Sequence, residues 1–283
     1  MKRLLATLVV GALLVPKAQM SVDAARSNLG PEPDVSSVWT GKVAKALSFG
    51  FADVLADLYW MRAIQYYGTQ KQIGTGFANL YPLLDTAVEL DPRFSIVYRY
   101  GAVFLSEPLP IGAGRPEIGI ALLSRGADRN PTNWQLRQEE GLFTFFYLGD
   151  AIKGANILDR AARIPDAPSW MSGLAAQILS RGGELEASLS MWAIIRDQSE
   201  PGPLRDNASV QLEIVRAKLH ARNITTAVQS FRERGGDTSL SLPELRRRGV
   251  VDSIVDSTGV QFDFDTATGT ARISRGSTLW RRH

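Results

Sequence analysis

Asp53 and Asp57 stand one helical turn apart in FADVLADLYW, the spacing at which two carboxylates share a face and could divide acid and base roles. Arg62 follows closely, and carboxylates and a guanidinium at such spacings form a solvated face or a local ion pair. Four more acids near the carboxy terminus, Asp252, Asp256, Asp263 and Asp265, raise the question of calcium, which takes oxygen ligands from flexible loops. No DxDxDG-type loop frames them. Asp263 and Asp265 lie two residues apart in an alternating stretch, so they share a strand face opposite the apolar one. A solvated strand face is the expectation there. The two histidines, His220 and His283, are far apart, and His220 falls inside a helical pattern. An imidazole metal site or a Ser-His-Asp triad therefore has no evident partners. Cysteine is absent, which removes disulfides, thiolate ligands and thiol nucleophiles together. No GxxxxGK[ST], GxSxG or HExxH string occurs, and the two glycines of IGAGR at 111–115 follow no strand. The residues point to no catalytic centre, no cofactor and no metal.

The elements that would position any such group are read from pattern. The chain has 283 residues, 45% of them hydrophobic, so it can bury a sizeable core. A formal charge of +3, from 32 basic against 29 acidic residues, is too mild for a nucleic-acid partner. Lys2 and Arg3 precede an uncharged apolar run, Leu4 to Val15, closed by Pro16 and Lys17. Such a run suits a signal-peptide core better than a spanning helix of ~20 residues. Val22-Asp23-Ala24 offers cleavage after Ala24. Residues 1–24 are expected to be a signal peptide or an N-terminal membrane anchor, with membrane contact through residues 4–15. Either way the rest of the chain lies outside the inner membrane, on the periplasmic side of a bacterial envelope. Residues 25–42, containing RSNLGPEPDVSS, read as a linker. A native chain starting near Ala25 would remove the anchored reading.

From 43 to 235 the pattern is helical. Aligned on one another, LYPLLDTAVELDP, GIALLSRGADRNP, GANILDRAARIPD and ASLSMWAIIRDQS place Leu80, Gly119, Gly154 and Ala187 at one position. Leu84, Leu123, Leu158 and Met191 follow, then Ala87, Gly126, Ala161 and Ile194. The intervals of 39, 35 and 33 residues are close to the ~34-residue period of tetratricopeptide helix pairs. Small residues seven apart lie on one helix face and let a neighbouring helix approach. Pro92, Pro131, Pro165 and Pro201 fall near the ends of these helices. First helices of the pairs are SFGFADVLADLYWMRAIQYYG, with Phe51, Val54, Leu55, Leu58, Met61 and Ile64 at helical spacing, then FSIVYRYGAVFL, NWQLRQEEGLFTFFYLGD and SWMSGLAAQILSRGG. Asn79 is placed to cap the helix that carries Pro82. LRDNASVQLEIVRAKLHARN and ITTAVQSFRER read as a fifth pair, with Ala227 and Phe231 at the small and large positions.

LGDAIKGANILDRA and RGGELEASLSMWAI resemble the second-helix pattern of tetratricopeptide-repeat proteins. FADVLADLYWMRAIQYYG with LLDTAVELDPRFSIVYRYGAVFL is similar to a group of bacterial envelope proteins of that family. The first helices depart from the pattern, since Trp134 and Gly141 miss the family's aromatic and glycine spacings. The resemblance implies an all-α, right-handed solenoid of about five helix pairs, whose concave groove is lined by first helices. Its candidate contacts are Tyr59, Gln65, Tyr66, Tyr98, Arg99, Gln135, Gln138 and Glu139. Tyrosines at helical spacing also serve simply as wedges between helices.

After Gly235-Gly236 the pattern changes, and residues 236–283 read as a separate module. SLSLPELRRRG is a short helix with Ser241 and Glu244 in capping-box spacing. Val260, Phe262 and Phe264 alternate, then a turn at Thr266–Gly269 leads to Ala271 and Ile273, a hairpin signal. Leu245, Gly249, Asp256, Gly259, Phe262, Asp265, Thr268 and Gly269 resemble, distantly, the tails of type II secretion pseudopilins, with Ser257 and Thr266 in place of two prolines. Arg246, Arg247, Arg248, Arg272 and Arg275, with Arg281 and Arg282, make this the most basic part of the chain, a face suited to anionic lipid or an acidic partner, or equally a plain solubilising face.

The expectation is a non-enzymatic scaffold for protein–protein interaction in an envelope or membrane complex. Its rivals are a membrane-anchored structural subunit of a larger assembly, and an accessory factor for secretion, pilus or polysaccharide export.

Overall fold

The computed structural model describes residues 39–74 and 76–280. The expected signal or anchor at 1–24, the linker up to residue 38, and Arg281, Arg282 and His283 lie outside the described residues. Those described form eleven helices and one two-stranded antiparallel sheet. They divide into two compact units between Asp91 and Pro92.

The first unit holds α1 (Gly41–Ala46), α2 (Ala52–Ile73) and α3 (Leu80–Leu90). α3 packs on both of the others. It buries Leu80, Leu83, Leu84, Ala87 and Val88 completely, and Pro82 sits in its first turn, where the missing N–H costs nothing. Asn79 occupies the N-cap position without a side-chain capping bond. Thr86 Oγ1, on α3, donates to the Trp39 carbonyl at 2.9 Å and fixes the start of α1.

α2 is the expected long helix, and its burial is one-sided. Its buried residues are Ala56, Ala63 and Gln70, a small-residue heptad step. Phe51, Val54, Leu58, Met61 and Ile64, the residues at helical spacing, are all exposed, and Leu55 is half-buried. The reason is geometric. At 3.6 residues per turn, Val54, Leu58 and Met61 lie on the side of the helix opposite Ala56 and Ala63. α2 is apolar on both faces, and only one of them is covered among the described residues.

In the second unit the helices are α4 (Ser95–Ser106), α5 (Pro116–Arg129), α6 (Trp134–Leu148), α7 (Ala151–Ala162), α8 (Met171–Arg181), α9 (Leu185–Gln198), α10 (Pro203–Glu233) and α11 (Leu242–Arg247). From α4 to α10 each packs on the next in chain order, and α4 also touches α6. Between α6 and α7, Gly149 adopts φ 71° and the Asp150 side chain caps the Lys153 N–H at 2.8 Å. Gly126 lies beneath Tyr98, where a Cβ would fall 2.6 Å from the ring. Gly141 and Gly154 face each other, and a Cβ on either would stand within 3 Å of the other's carbonyl oxygen. These contacts explain the small residues of the second and third segments.

The fourth segment is out of register by one residue. Ala187 and Ile194 are exposed, whereas Ser188, Trp192 and Ile195 are buried. Trp192, at 1% exposure, is the largest side chain in its cluster and lies over Gly173. Burying its indole outweighs burying Met191 and turns the helix by one position. Ser188 then takes the small position, its Oγ donating to the Ala176 carbonyl at 2.8 Å.

The fifth pair is absent. Residues 203–233 form one uninterrupted helix, α10, started by Pro203 at its first turn. No glycine or proline interrupts it after that. Its first half packs Ala208, Leu212 and Val215 with Trp192 and Ile195 of α9. Its second half buries Ile214, Ala217, Ala221, Ile224 and Val228 against the carboxy-terminal residues, including Leu242, Leu245, Phe262 and Ile273. A return helix is unnecessary because the tail covers that face.

The tail has the expected elements. α11 begins with the capping box, the Ser241 N–H donating to Glu244 Oε2 at 2.8 Å. β1 (Asp263–Asp265) pairs antiparallel with β2 (Thr270–Arg272) in the register Asp263 with Arg272, Phe264 with Ala271, Asp265 with Thr270. Arg232 of α10 donates to the carbonyls of Thr266 and Thr238 at 2.6 and 2.9 Å, and Gln229 to that of Thr268 at 2.7 Å. The Ala271 N–H donates to Thr225 Oγ1 at 2.9 Å.

The contact of Tyr98 with Gly126 gives a test. Tyr98→Ala should cost about 3–5 kcal/mol, as for other buried aromatics. Gly126→Ala should cost about 1–3 kcal/mol in the native background. In the Tyr98→Ala background the Gly126→Ala cost should shrink, with a coupling on the order of 1 kcal/mol in urea denaturation.

Candidate interaction surfaces

The residues expected to line a groove fall into different roles. Tyr98 is corrected outright: at 0% exposure it is a core residue, its hydroxyl donating to the Pro92 carbonyl at 3.3 Å. The ring wedges over Gly126, which removes it from any partner's reach. Arg99 on α4 and Glu139 on α6 face each other, the guanidinium Nε donating to Oε1 at 2.7 Å. The pair braces two helices, and the hydrogen bond to Glu139 raises the Arg99 guanidinium further above its ordinary range despite partial burial. Gln135 and Gln138 are half-buried on α6 beside it. In the first unit Tyr66 accepts the Asn79 N–H at 3.3 Å through its hydroxyl, Tyr59 is half-buried and Gln65 is exposed on α2. The expected contacts are thus a mixture of core, brace and surface.

Of the basic candidates, all five are exposed. Arg272 and Arg275 line one open recess of about 460 Å³ with Asp263, Asp265 and Trp280. The Arg275 guanidinium stands 6.0 Å from the Trp280 ring centre, within cation–π range. Arg246, Arg247 and Arg248 end α11 and do not line that recess.

The acids do structural work. Asp256 is buried, and its carboxylate accepts from Ser277 Oγ, from the Thr258 N–H at 2.8 Å, from Thr258 Oγ1 at 2.6 Å and from the Val260 N–H at 3.2 Å. Asp265 is exposed and accepts from Thr268 Oγ1 at 2.8 Å and the Ala267 N–H at 2.9 Å, tying the hairpin turn. Asp263 lies on the exposed side of β1, and Asp53 and Asp57 are exposed on α2. Among the described residues no three His, Asp or Glu side chains converge on a point that could hold a metal ion. His220 bridges α10 to the tail: its Nε2 lies 3.2 Å from the Ser253 carbonyl, and its ring packs edge-on to Phe262.

A surface absent from the sequence expectation lies on the first unit. Ten of the 21 large apolar side chains that stand exposed among the described residues fall between Trp39 and Ile73. Leu47, Phe49, Phe51, Val54, Leu58 and Met61 run from the turn after α1 up the outer face of α2. Their helical spacing was visible, but it reads equally as a core face. The discriminating signal was the Ala56, Ala63, Gln70 heptad, which marks the side a neighbour can approach closely. No helix among the described residues is long and apolar enough to cross a membrane.

No protein-family model and no curated protein matches this chain.

Asp256 carries a pH signature. Burial pushes its carboxyl up, but the hydrogen bonds from Ser277, Thr258 and Val260 outweigh this and hold it below the ordinary value of 3.8. A depressed folded value means the stabilisation is complete above the unfolded value and fades as pH falls through the folded one. Asp256→Asn should cost about 1–3 kcal/mol at neutral pH. It should also flatten the loss of stability below about pH 4 in pH-dependent thermal melts.

Proposed function

We propose that this chain is a non-enzymatic helical scaffold of the tetratricopeptide type, working on the periplasmic side of a bacterial envelope. In this reading it docks a membrane-protein partner through the outer face of α2. One observation carries the reading: large apolar side chains stand exposed in a concentrated band on α1 and α2. A contiguous apolar surface of that kind marks an interaction site, because single scattered apolar residues are ordinary and a band is not. Val54, Leu58, Met61 and Ile64 offer a ridge along one helix, the form that a partner helix or groove accommodates.

The repeat reading draws support from three matched close approaches. Ala102 lies against Gly119, Gly141 against Gly154, and Ala176 against Ser188. With Ser188 in place of Ala187, the second-helix intervals become 39, 35 and 34 residues, nearer the ~34-residue tetratricopeptide period. The second reading, a structural subunit anchored by residues 4–15, is favoured by the same band, since it lies in the unit that follows that segment in sequence.

A photo-crosslinker placed at Leu58 or Met61 in the native membrane should yield one discrete protein adduct. The same group at Ile152, exposed on α7, should yield none. Leu58→Glu with Met61→Glu should abolish the adduct and leave the melting temperature within about 2–4 °C. An adduct pattern identical at residues 58 and 152 would remove the docking reading.

A further inference from the structure

The turn from α1 to α2 combines a left-handed backbone with exposed aromatic side chains. Phe49 has φ 49° and Gly50 φ 94°. Glycine occupies that left-handed region freely, whereas a phenylalanine there meets its own carbonyl. The strained residue carries the most exposed large apolar side chain described, at 85%, flanked by Phe51 at 68% and Leu47 at 46%. The turn is not loose. Buried Ser48 donates through Oγ to the Lys45 carbonyl at 2.8 Å, the Phe51 N–H donates to the Ser48 carbonyl at 2.8 Å, and Leu55 to that of Phe51 at 3.1 Å. A fixed backbone therefore holds three apolar side chains out into water, with strain stored at the foremost.

The segment that carries this tip, from Trp39 to Ala52, holds positive charge only. Trp39 precedes α1 and Val43 lies on it, both exposed, and Lys42 and Lys45 are exposed on α1. No acid occurs from Trp39 to Ala52. The acids nearest in sequence, Asp53 and Asp57, are exposed in the first turns of α2. From α3, packed against α1, Glu89 reaches the α1 backbone, its Cβ beside Gly41.

We propose that the tip Leu47, Phe49 and Phe51 enters the headgroup–acyl boundary of a lipid bilayer, with Lys42 and Lys45 on anionic headgroups. Phenylalanine and leucine at a projecting point, with exposed lysines and a tryptophan in the residues that precede it, are the chemistry of an interfacial anchor. Such a point needs a yielding apolar medium, whereas the α2 ridge offers the elongated face a protein would take. Insertion of ~5–10 Å is the depth such interfacial residues reach. The sequence also favours lipid over a second copy. Lys42 and Lys45 would face their own like charges on a second copy, whereas anionic headgroups attract them. The inference rests on the reading that the chain works at a membrane, but it needs no protein partner.

The absence of cysteine allows a direct test on the full chain. Phe49→Cys carries a polarity-sensitive fluorophore, and Phe146→Cys, 65% exposed on α6, serves as the reference. Phe51→Cys replaces the first variant if that one fails to fold. With vesicles of phosphatidylcholine and phosphatidylglycerol, emission from the tip label should shift to the blue. Lipids brominated near the headgroup should quench it at least twofold more than the Phe146 label. Lys42→Gln with Lys45→Gln should lower partition onto these vesicles by on the order of tenfold, and not onto phosphatidylcholine alone. A tip label as water-exposed as the reference on vesicle-bound chain overturns the proposal. So does a blue shift that grows with protein concentration in the absence of lipid, which would identify a second copy as the occupant. Neither result alters the crosslinking outcome at Leu58, so the two readings fail separately.

Discussion

Helices in this protein meet through small side chains, and that constraint decides where the large ones go. A glycine, alanine or serine at a crossing lets two backbones approach, and bulky residues must then fill the gaps alongside or face elsewhere. In the second unit they fill gaps: Tyr98 closes over Gly126, and Trp192 closes over Gly173. In the first unit α2 meets its neighbours through Ala56 and Ala63, and Val54, Leu58, Met61 and Ile64 are left outside. One packing rule thus places large side chains in the core of the second unit and, among the described residues, leaves an apolar face of α2 exposed in the first.

The second unit owes its ending to the same economy of surfaces. α10 is buried on one half by α9 and on the other by the tail, which is why it runs unbroken from Pro203 to Glu233. The hairpin is held to it by donors from Arg232 and Gln229 into loop carbonyls that would otherwise rely on water. Asp256 performs a similar service within the tail, satisfying two backbone N–H groups and two hydroxyls with one carboxylate. The polar residues with most chemistry in them are therefore committed to holding the fold, which leaves the exposed apolar band as the feature with no internal explanation.

Much of this was legible in the sequence, and the failures have physical causes. The positions of Gly119, Gly126, Gly154, Leu84, Leu123 and Leu158 were readable because a heptad of small and large residues has few alternative meanings. Ser241 with Glu244, and the alternation through Phe262 to Ile273, were readable because capping and pleating are local rules. The one-residue slip in α9 was not, since the alignment favoured Ala187 and the tryptophan's demand for burial acts only in three dimensions. The unbroken α10 was not, because the partner for its second half comes from residues 240–279, far along the chain. The exposure of the outer face of α2 was not legible for a simpler reason: periodicity reports an apolar stripe, not what covers it. Tyr98 failed as a contact because its small opposite number, Gly126, is 28 residues away in sequence.

The central claim is that the apolar band on α1 and α2 is covered where the protein works. Hydroxyl-radical footprinting compares the purified chain with the chain in its native membranes, reading oxidation of Phe49, Phe51 and Met61 against Phe146 and Trp170, all exposed. The account predicts that the first three are modified readily in the purified chain and protected severalfold in membranes, while the other two react alike in both. Equal modification of Met61 and Phe49 in the two preparations would contradict it.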